Sequence, residues 1–360
     1  MVPKLKEYIS QGKASYEARD FEIAYQQLSL AIGIFEESGS EFFLDEEEVA
    51  EVYLLRGSAL YSQSERETLH TPETFGQVID DFDQAVAIQP HNPLYRNLRG
   101  KLYLNCQFAN YAKEAREDFL EVLNKDPQNS FALKSLGEIF SREETYDQAI
   151  HYFTKALETG DDKEIFMLRG VCHFRKNNPD FRAAAEDFGK AQTYLPRLEE
   201  LYVWRAQCFM EMGDTQSAIS EYDKLLEITP NKAGYYVDRG AIRIATDMEA
   251  ALDDFNHALE IAPHPLAYNN RAYYHLLKGN YEAAVIDAKN ALAVDGERSI
   301  AYATLAEIYA TMEDEDQFFH YLELALKYYY DDIVDVLLEP AYEPYTSDPR
   351  FLKLVGKNQM

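Results

Sequence analysis

The sequence predicts an all-α solenoid, a row of helix pairs stacked one on the next. Three observations lead there. A short segment centred on one small residue returns along the chain: VYLLRGSAL, LYRNLRGKL, FALKSLGEI, IFMLRGVCH, LYVWRAQCF, GYYVDRGAI, LAYNNRAYY and IAYATLAEI. A second segment recurs downstream of the first: DFDQAVAIQP, DFLEVLNKDP, YFTKALETG, DFGKAQTYLP, YDKLLEITP and DFNHALEIAP. Within both, apolar residues recur at three- and four-residue spacing, the mark of amphipathic helices. No such unit can bury its apolar face alone, so stacking on its neighbours supplies the core.

The small anchors are Gly57, Gly100, Gly137, Gly170, Ala206, Gly240, Ala272 and Ala306, with an earlier copy at Gly12. From Gly57 onward they lie 32 to 43 residues apart. Each must be small because two helices cross there closely, and a branch at Cβ would separate their axes. Aromatic side chains fill the space beside it. Pro90, Pro127, Pro196, Pro230 and Pro263 end second helices, since proline cannot continue one.

Repeat six carries the pattern in full: Tyr202, Ala206, Phe209, Ala218, Tyr222, Leu225 and Pro230. This resembles the tetratricopeptide repeat, whose period is about 34 residues. That family places an aromatic, a small residue and an aromatic on a first helix, then Ala, an aromatic and Ala on a second, then Pro. Only Leu225 departs, standing where the third small residue belongs. The resemblance covers residues 4–330 as about nine repeats. It implies a right-handed superhelix whose first helices line a concave groove that takes up extended or helical peptides.

An internal comparison separates structure from site. The residue before the anchor is arginine in six repeats: Arg56, Arg99, Arg169, Arg205, Arg239 and Arg271. Such a row could be an anion-binding rail. The second helices of the same six repeats carry Asp81, Asp118, Asp187, Glu221, Asp254 and Asp287 at one equivalent place. The other three repeats lack both charges, pairing Gln11 with Gln27, Leu136 with Tyr152 and Leu305 with Tyr321. Charge and partner come and go together, which a helix-to-helix ion pair inside each repeat predicts.

The departures follow in chain order. Repeat two carries an insert at 62–76, where Thr71 reads as an N-cap with Pro72 in the first turn. The insert is a second candidate contact surface. Repeat three gains three residues around CQFANYAKEA, repeat five gains two at KNNPD, and repeat seven loses one at IATDM. Gly160 and Gly296 stand in as helix stops where the closing proline is missing. Residues 331–360 read as a capping segment. In it Ile333 to Leu338 form a short helix, Pro340 and Pro344 break it, and Asp348 caps a last helix with Pro349 in its first turn.

Composition excludes several functions. The net charge of −28, with no basic stripe to offset it, repels phosphates, which argues against nucleic acid and anionic membranes. No apolar run is long enough to span a bilayer, and the first residues lack the pattern of a signal peptide. Three cysteines, Cys106, Cys172 and Cys208, make no disulfide framework and fit a reducing cytoplasm. No phosphate loop, dinucleotide glycine run, HExxH or GxSxG occurs, so no enzyme, cofactor or metal site is expected. His173 and His275, three past their anchors, read as packing residues, as do Cys172 and Cys208. Acidic clusters at Asp45 to Glu48, Asp161–Asp162 and Glu313 to Asp316 read as helix starts and turns.

In the family this chain resembles, residues two and three before each anchor, and one and four after, tend to face the groove. The partner-binding residues expected here are Leu98, Lys134, Met167, Phe174, Trp204, Gln207, Asn270 and Tyr273, with Leu54, Asn97, Val203, Met210, Glu138 and Asn269 at related places. Trp204 is the sole tryptophan, and Tyr202 already occupies the core aromatic place two residues away, so the two cannot share a helix face. The carboxylate clamp of chaperone-binding repeats needs Lys and Arg around an Asn. Asn270 fits, but Val237, Ala241, Ile300 and Thr304 stand where its partners belong. The expected function is therefore a non-catalytic adaptor or scaffold binding a protein or peptide. The alternatives are a chaperone-like holder of unfolded clients and a small-molecule-binding repeat protein.

Overall fold

The computed structural model describes residues 2–38, 45–66, 71–106, 110–160, 162–296, 300–328 and 340–356. The helices come in pairs. They are α1 (Val2–Glu17) and α2 (Phe21–Ser38), α3 (Glu46–Arg66) and α4 (Pro72–Ile88), α5 (Pro93–Asn105) and α6 (Ala112–Lys125). Then come α7 (Ser130–Arg142) and α8 (Tyr146–Thr159), α9 (Glu164–Arg175) and α10 (Phe181–Gln192), α11 (Glu199–Glu211) and α12 (Thr215–Ile228). The last pairs are α13 (Ala233–Arg243) and α14 (Met248–Ile261), α15 (Pro265–Leu277) and α16 (Tyr281–Asp295), α17 (Ala301–Thr311) and α18 (Glu315–Tyr328). A 3₁₀ segment (Pro340–Tyr345) and α19 (Pro349–Gly356) follow. Contacts gather the chain into two compact units, Met1–Ala191 and Gln192–Met360.

Each pair packs at its anchor. A Cβ on Gly100 would stand 2.7 Å from Phe119 Cζ, one on Gly170 2.8 Å from Phe188 Cε1, and one on Gly240 2.6 Å from Phe255 Cε1. All three phenylalanines are fully buried. A methyl group would have to displace a ring that has nowhere to go. Repeat eight departs from this pairing, with Ala272 on the first helix and Ala288 at the equivalent place on the second, both in one core cluster. Within each unit every second helix also packs against the next first helix, α6 on α7 and α14 on α15 for example.

The ends of the helices follow local chemistry. Prolines 90, 127, 196, 230 and 263 each stand a few residues beyond the last turn of a second helix. Thr71 caps α4 by accepting from the Thr74 N–H, with Pro72 in the first turn. Asp45, Asp162, Asp314 and Asp348 likewise accept from N–H groups at the starts of α3, α9, α18 and α19, which accounts for those acidic residues. Gly296 ends α16 at φ 71, a left-handed conformation. Gly160 ends α8 for another reason: its backbone is extended, and a Cβ there would run into Ser130 Oγ.

In five of the repeats the turn takes positive φ seven residues past the anchor. Gly213 and Gly279 supply it in two repeats, while Arg19, Glu144 and Glu313 adopt it at φ 58 to 60 without glycine's freedom.

At the C-terminal side Tyr342 is fully buried, its ring 5.1 Å from Phe318, and Tyr345 lies 4.4 Å from the same ring. Phe351 of α19 joins this cluster. Asp161, the short helix expected at Ile333 to Leu338, residues 67–70 of the repeat-two insert and residues 107–109 of repeat three lie outside the described residues.

Candidate functional site

The six arginines reach the acids of their own repeats. Arg56 to Asp81 measures 2.5 Å, Arg99 to Asp118 2.7 Å, Arg169 to Asp187 2.8 Å, Arg205 to Glu221 3.1 Å, Arg239 to Asp254 2.5 Å and Arg271 to Asp287 2.7 Å. All six carboxylates are buried. Each arginine is committed to a buried counter-charge, so the row is not a ligand rail. Burial pulls the Asp81 carboxyl above its usual range, and the Arg56 guanidinium opposes this.

The structure adds a second acceptor that the sequence comparison missed. Arg99 also donates to Asp83, Arg169 to Thr154, Arg239 to Asp223 and Arg271 to Asn256, at 2.7 to 3.0 Å. Each acceptor lies in the preceding repeat, two residues past the place of its acid. The same place holds Leu120 and Lys289 ahead of the two repeats that carry Leu136 and Leu305 instead of arginine. A donor fork with five N–H groups thus ties two second helices together through the first helix between them.

The first-helix face opens into a cleft in the first unit. It has a volume of about 470 Å³ and is lined chiefly by Lys101 and Leu104 of α5, Phe131, Lys134 and Glu138 of α7, and Asp162. Phe131, Lys134, Ser135 and Glu138 stand at i, i+3, i+4 and i+7, one stripe of the helix. Lys134 Nζ lies 2.8 Å from Asp162 and 2.7 Å from Glu164. Glu138 is half-buried, and burial raises its pKa against the pull of Lys134 and Arg142. Phe131 and Lys101 were not singled out from sequence, although the spacing of Phe131 from Lys134 and Glu138 on one helix was there to be read.

The expected partner-binding residues fall in different surroundings. Lys134 lines this cleft. Leu98 is half-buried and packs against the core of the first repeats. Met167 is half-buried on α9. The Phe174 ring meets Phe181 of its own repeat edge-on at 5.6 Å. In the second unit Trp204 is half-buried and Gln207 exposed on α11, Asn270 is half-buried, and Tyr273 packs beside the core of the last repeats. Three residues before the anchor, Leu54, Asn97, Val237 and Asn269 are buried. Asn97 Nδ2 donates to Asn129 Oδ1 in the next repeat at 3.2 Å, so that place serves the seam between neighbouring repeats.

Cys172 and Cys208 are buried, and burial pushes the Cys208 thiol up to about 12. His173 is half-buried, its Nδ1 without a hydrogen-bond partner, and burial lowers its pKa. Among the described residues no group of three metal-ligating side chains converges. None of the described helices is long and apolar enough to cross a membrane.

Residues 132–165 and residues 199–232 each match a model of the tetratricopeptide repeat. Those two stretches are tetratricopeptide repeats. The chain is similar to the Hsp70-Hsp90 organizing protein of Triticum aestivum, 23% identical over 240 residues, covering 64% of this chain and 36% of that one. It is 22% identical over 174 residues to the human mitochondrial import receptor subunit TOM70, covering 46% of this chain and 28% of the other. It is 27% identical over 101 residues to serine/threonine-protein phosphatase T of Trypanosoma brucei brucei, covering 28% of this chain and 21% of the phosphatase. The chain thus spans between about a fifth and about a third of the length of these curated relatives. Among solved structures, the C-terminal part of a tetratricopeptide-repeat protein from Cytophaga hutchinsonii shares the fold, with TM-score 0.50 and 17% identity, covering 82% of this chain and 99% of that one.

Proposed function

We propose that this chain is a tetratricopeptide-repeat protein and a non-catalytic cytoplasmic adaptor that takes up a segment of a partner protein along the face of its first helices. In this reading residues 4–330 are the repeat array and residues 331–360 its closing segment. The observation that carries it is the open cleft on α7, where a large apolar ring, an amine and carboxylates converge on the first-helix face. Such a surface suits a peptide, with apolar and polar subsites side by side. The names of two relatives, an organizing protein and an import receptor subunit, speak of protein recognition and support the same reading. The match to the phosphatase covers a fifth of that enzyme and is compatible with a shared binding module. In the second unit Trp204 and Gln207 on α11 are a candidate contact of their own, a tryptophan being a strong interface anchor.

The test is site-directed photocrosslinking in lysate. A p-benzoylphenylalanine in place of Gln207 on the first-helix face is compared with one in place of Ile286, which is 60% exposed on a second helix. The expected result is one or two proteins captured from the Gln207 site and lost when Trp204→Ala is added. Capture from the Ile286 site alone would overturn the assignment of the face.

A further inference from the structure

We propose that the cleft on α7 receives a basic side chain, lysine or arginine, of the partner segment, with Glu138 as its counter-charge and Phe131 as the wall for its stem. This rests on the reading that the first-helix face takes up a peptide, and it names the chemistry recognised there.

The argument begins with Glu138. It sits half-buried in the cleft, and among the described residues it makes no hydrogen bond or ion pair. A carboxylate removed from water without a partner is costly, and a cation brought by a ligand would offset that cost. Two local cations could neutralise it, Lys134 four residues earlier and Arg142 four residues later. The Lys134 ammonium is instead held by Asp162 and Glu164, at 2.8 and 2.7 Å, and Arg142 donates to the Leu104 carbonyl at 3.1 Å. Neither bonds Glu138, whose carboxylate is left without a direct counter-ion.

The surroundings favour the same occupant. Phe131 is 39% exposed, one helical turn before Lys134, and its ring offers a surface for an aliphatic stem and a face for a cation. Of the charges lining the cleft, Lys134 is taken up by Asp162 and Glu164, and Lys101 is exposed at the rim, where solvent screens it, so Glu138 is the carboxylate left for a ligand. An acidic segment would meet Glu138 with the wrong sign. The chain as a whole carries −28, which steers basic segments toward it.

The experiment measures fluorescence anisotropy of three labelled nonapeptides with the full chain. Each is acetylated and amidated and carries leucine and alanine with two arginines, two glutamates or two glutamines. The arginine peptide is expected to bind at least about tenfold more tightly than the other two. Glu138→Gln, which keeps the shape, is expected to weaken it about tenfold, and Phe131→Ala several-fold. Glu117→Gln removes the same charge from an exposed place on α6, its side chain 67% accessible, and is expected to change binding less than about twofold. Circular dichroism checks that each variant is folded. Equal loss in Glu138→Gln and Glu117→Gln would reduce the effect to the general field and overturn the proposal. Preference for the glutamate or glutamine peptide would overturn it too. If no peptide binds while Gln207 still captures a partner, the inference falls and the adaptor reading stands. Silence in both experiments removes both.

Discussion

At the scale of single residues, the repeat positions that looked like candidates for chemistry serve packing and charge balance. His173 shows how. Its ring sits three past the anchor, where other repeats place Tyr103, Phe140, Phe209 and Tyr309. Burial and the cations Arg169 and Lys176 lower its pKa, while Asp187 and Asp180 oppose. A folded-state pKa below the unfolded value of about 6.5 means that stability is fully present above that value. It is lost as pH falls, because the unfolded chain takes up the proton first. Wild type is therefore expected to lose more stability between pH 7.5 and pH 5 than the variant His173→Phe, read from urea midpoints. Equal losses in the two proteins would show that the histidine is not the source. This role was legible in the sequence, because an internal repeat lets one copy explain another. The role of Glu138 was not: its isolation depends on Lys134 being drawn to Asp162 and Glu164 across a turn.

At the scale of elements, the arginine–acid pair is a joint between helices. Removing one member of a buried ion pair leaves the other charge stranded, at a cost of about 3–5 kcal/mol. Asp187→Ala is expected to destabilise by that order, since it strands Arg169 against α10. The chain also contains its own apolar solution for this joint. Leu136 with Tyr152 and Leu305 with Tyr321 fill the same two places, and the tyrosine rings stack on Phe140 at 5.3 Å and on Tyr309 at 5.5 Å. The double variant Arg169→Leu with Asp187→Tyr is therefore expected to recover most of the loss, measured by equilibrium urea unfolding. If the double variant is as unstable as Asp187→Ala, the two solutions are not interchangeable. The pairing within a repeat was predicted from covariation among the copies. The second acceptors, Asp83, Thr154, Asp223 and Asn256, were missed because they belong to the preceding repeat, and comparing each repeat only with itself hides them.

At the scale of the whole molecule, stability in a repeat array passes between neighbours. Tyr342, fully buried against Phe318, belongs to the core cluster of the last helix pair. Tyr342→Ala is expected to cost about 3–5 kcal/mol locally. Hydrogen exchange read by mass spectrometry should lose protection most in α17 and α18, and less with each helix back toward α11. A uniform loss across residues 192–328 would instead mean that this unit opens as a single cooperative block.

The sequence by itself determined the helix pairs, their anchors, most of their stops and the pairing of charge inside each repeat. All of these rest on local periodicity and on comparison among copies of one pattern. Tertiary structure alone decided which first-helix positions remain open. Leu54, Asn97, Val237 and Asn269 share a repeat position with Lys134 and Met167, yet those four are buried and these two are only half-buried. The reason is physical. Exposure at that place depends on what the neighbouring repeat brings against it, a property of the seam between units that no single repeat contains.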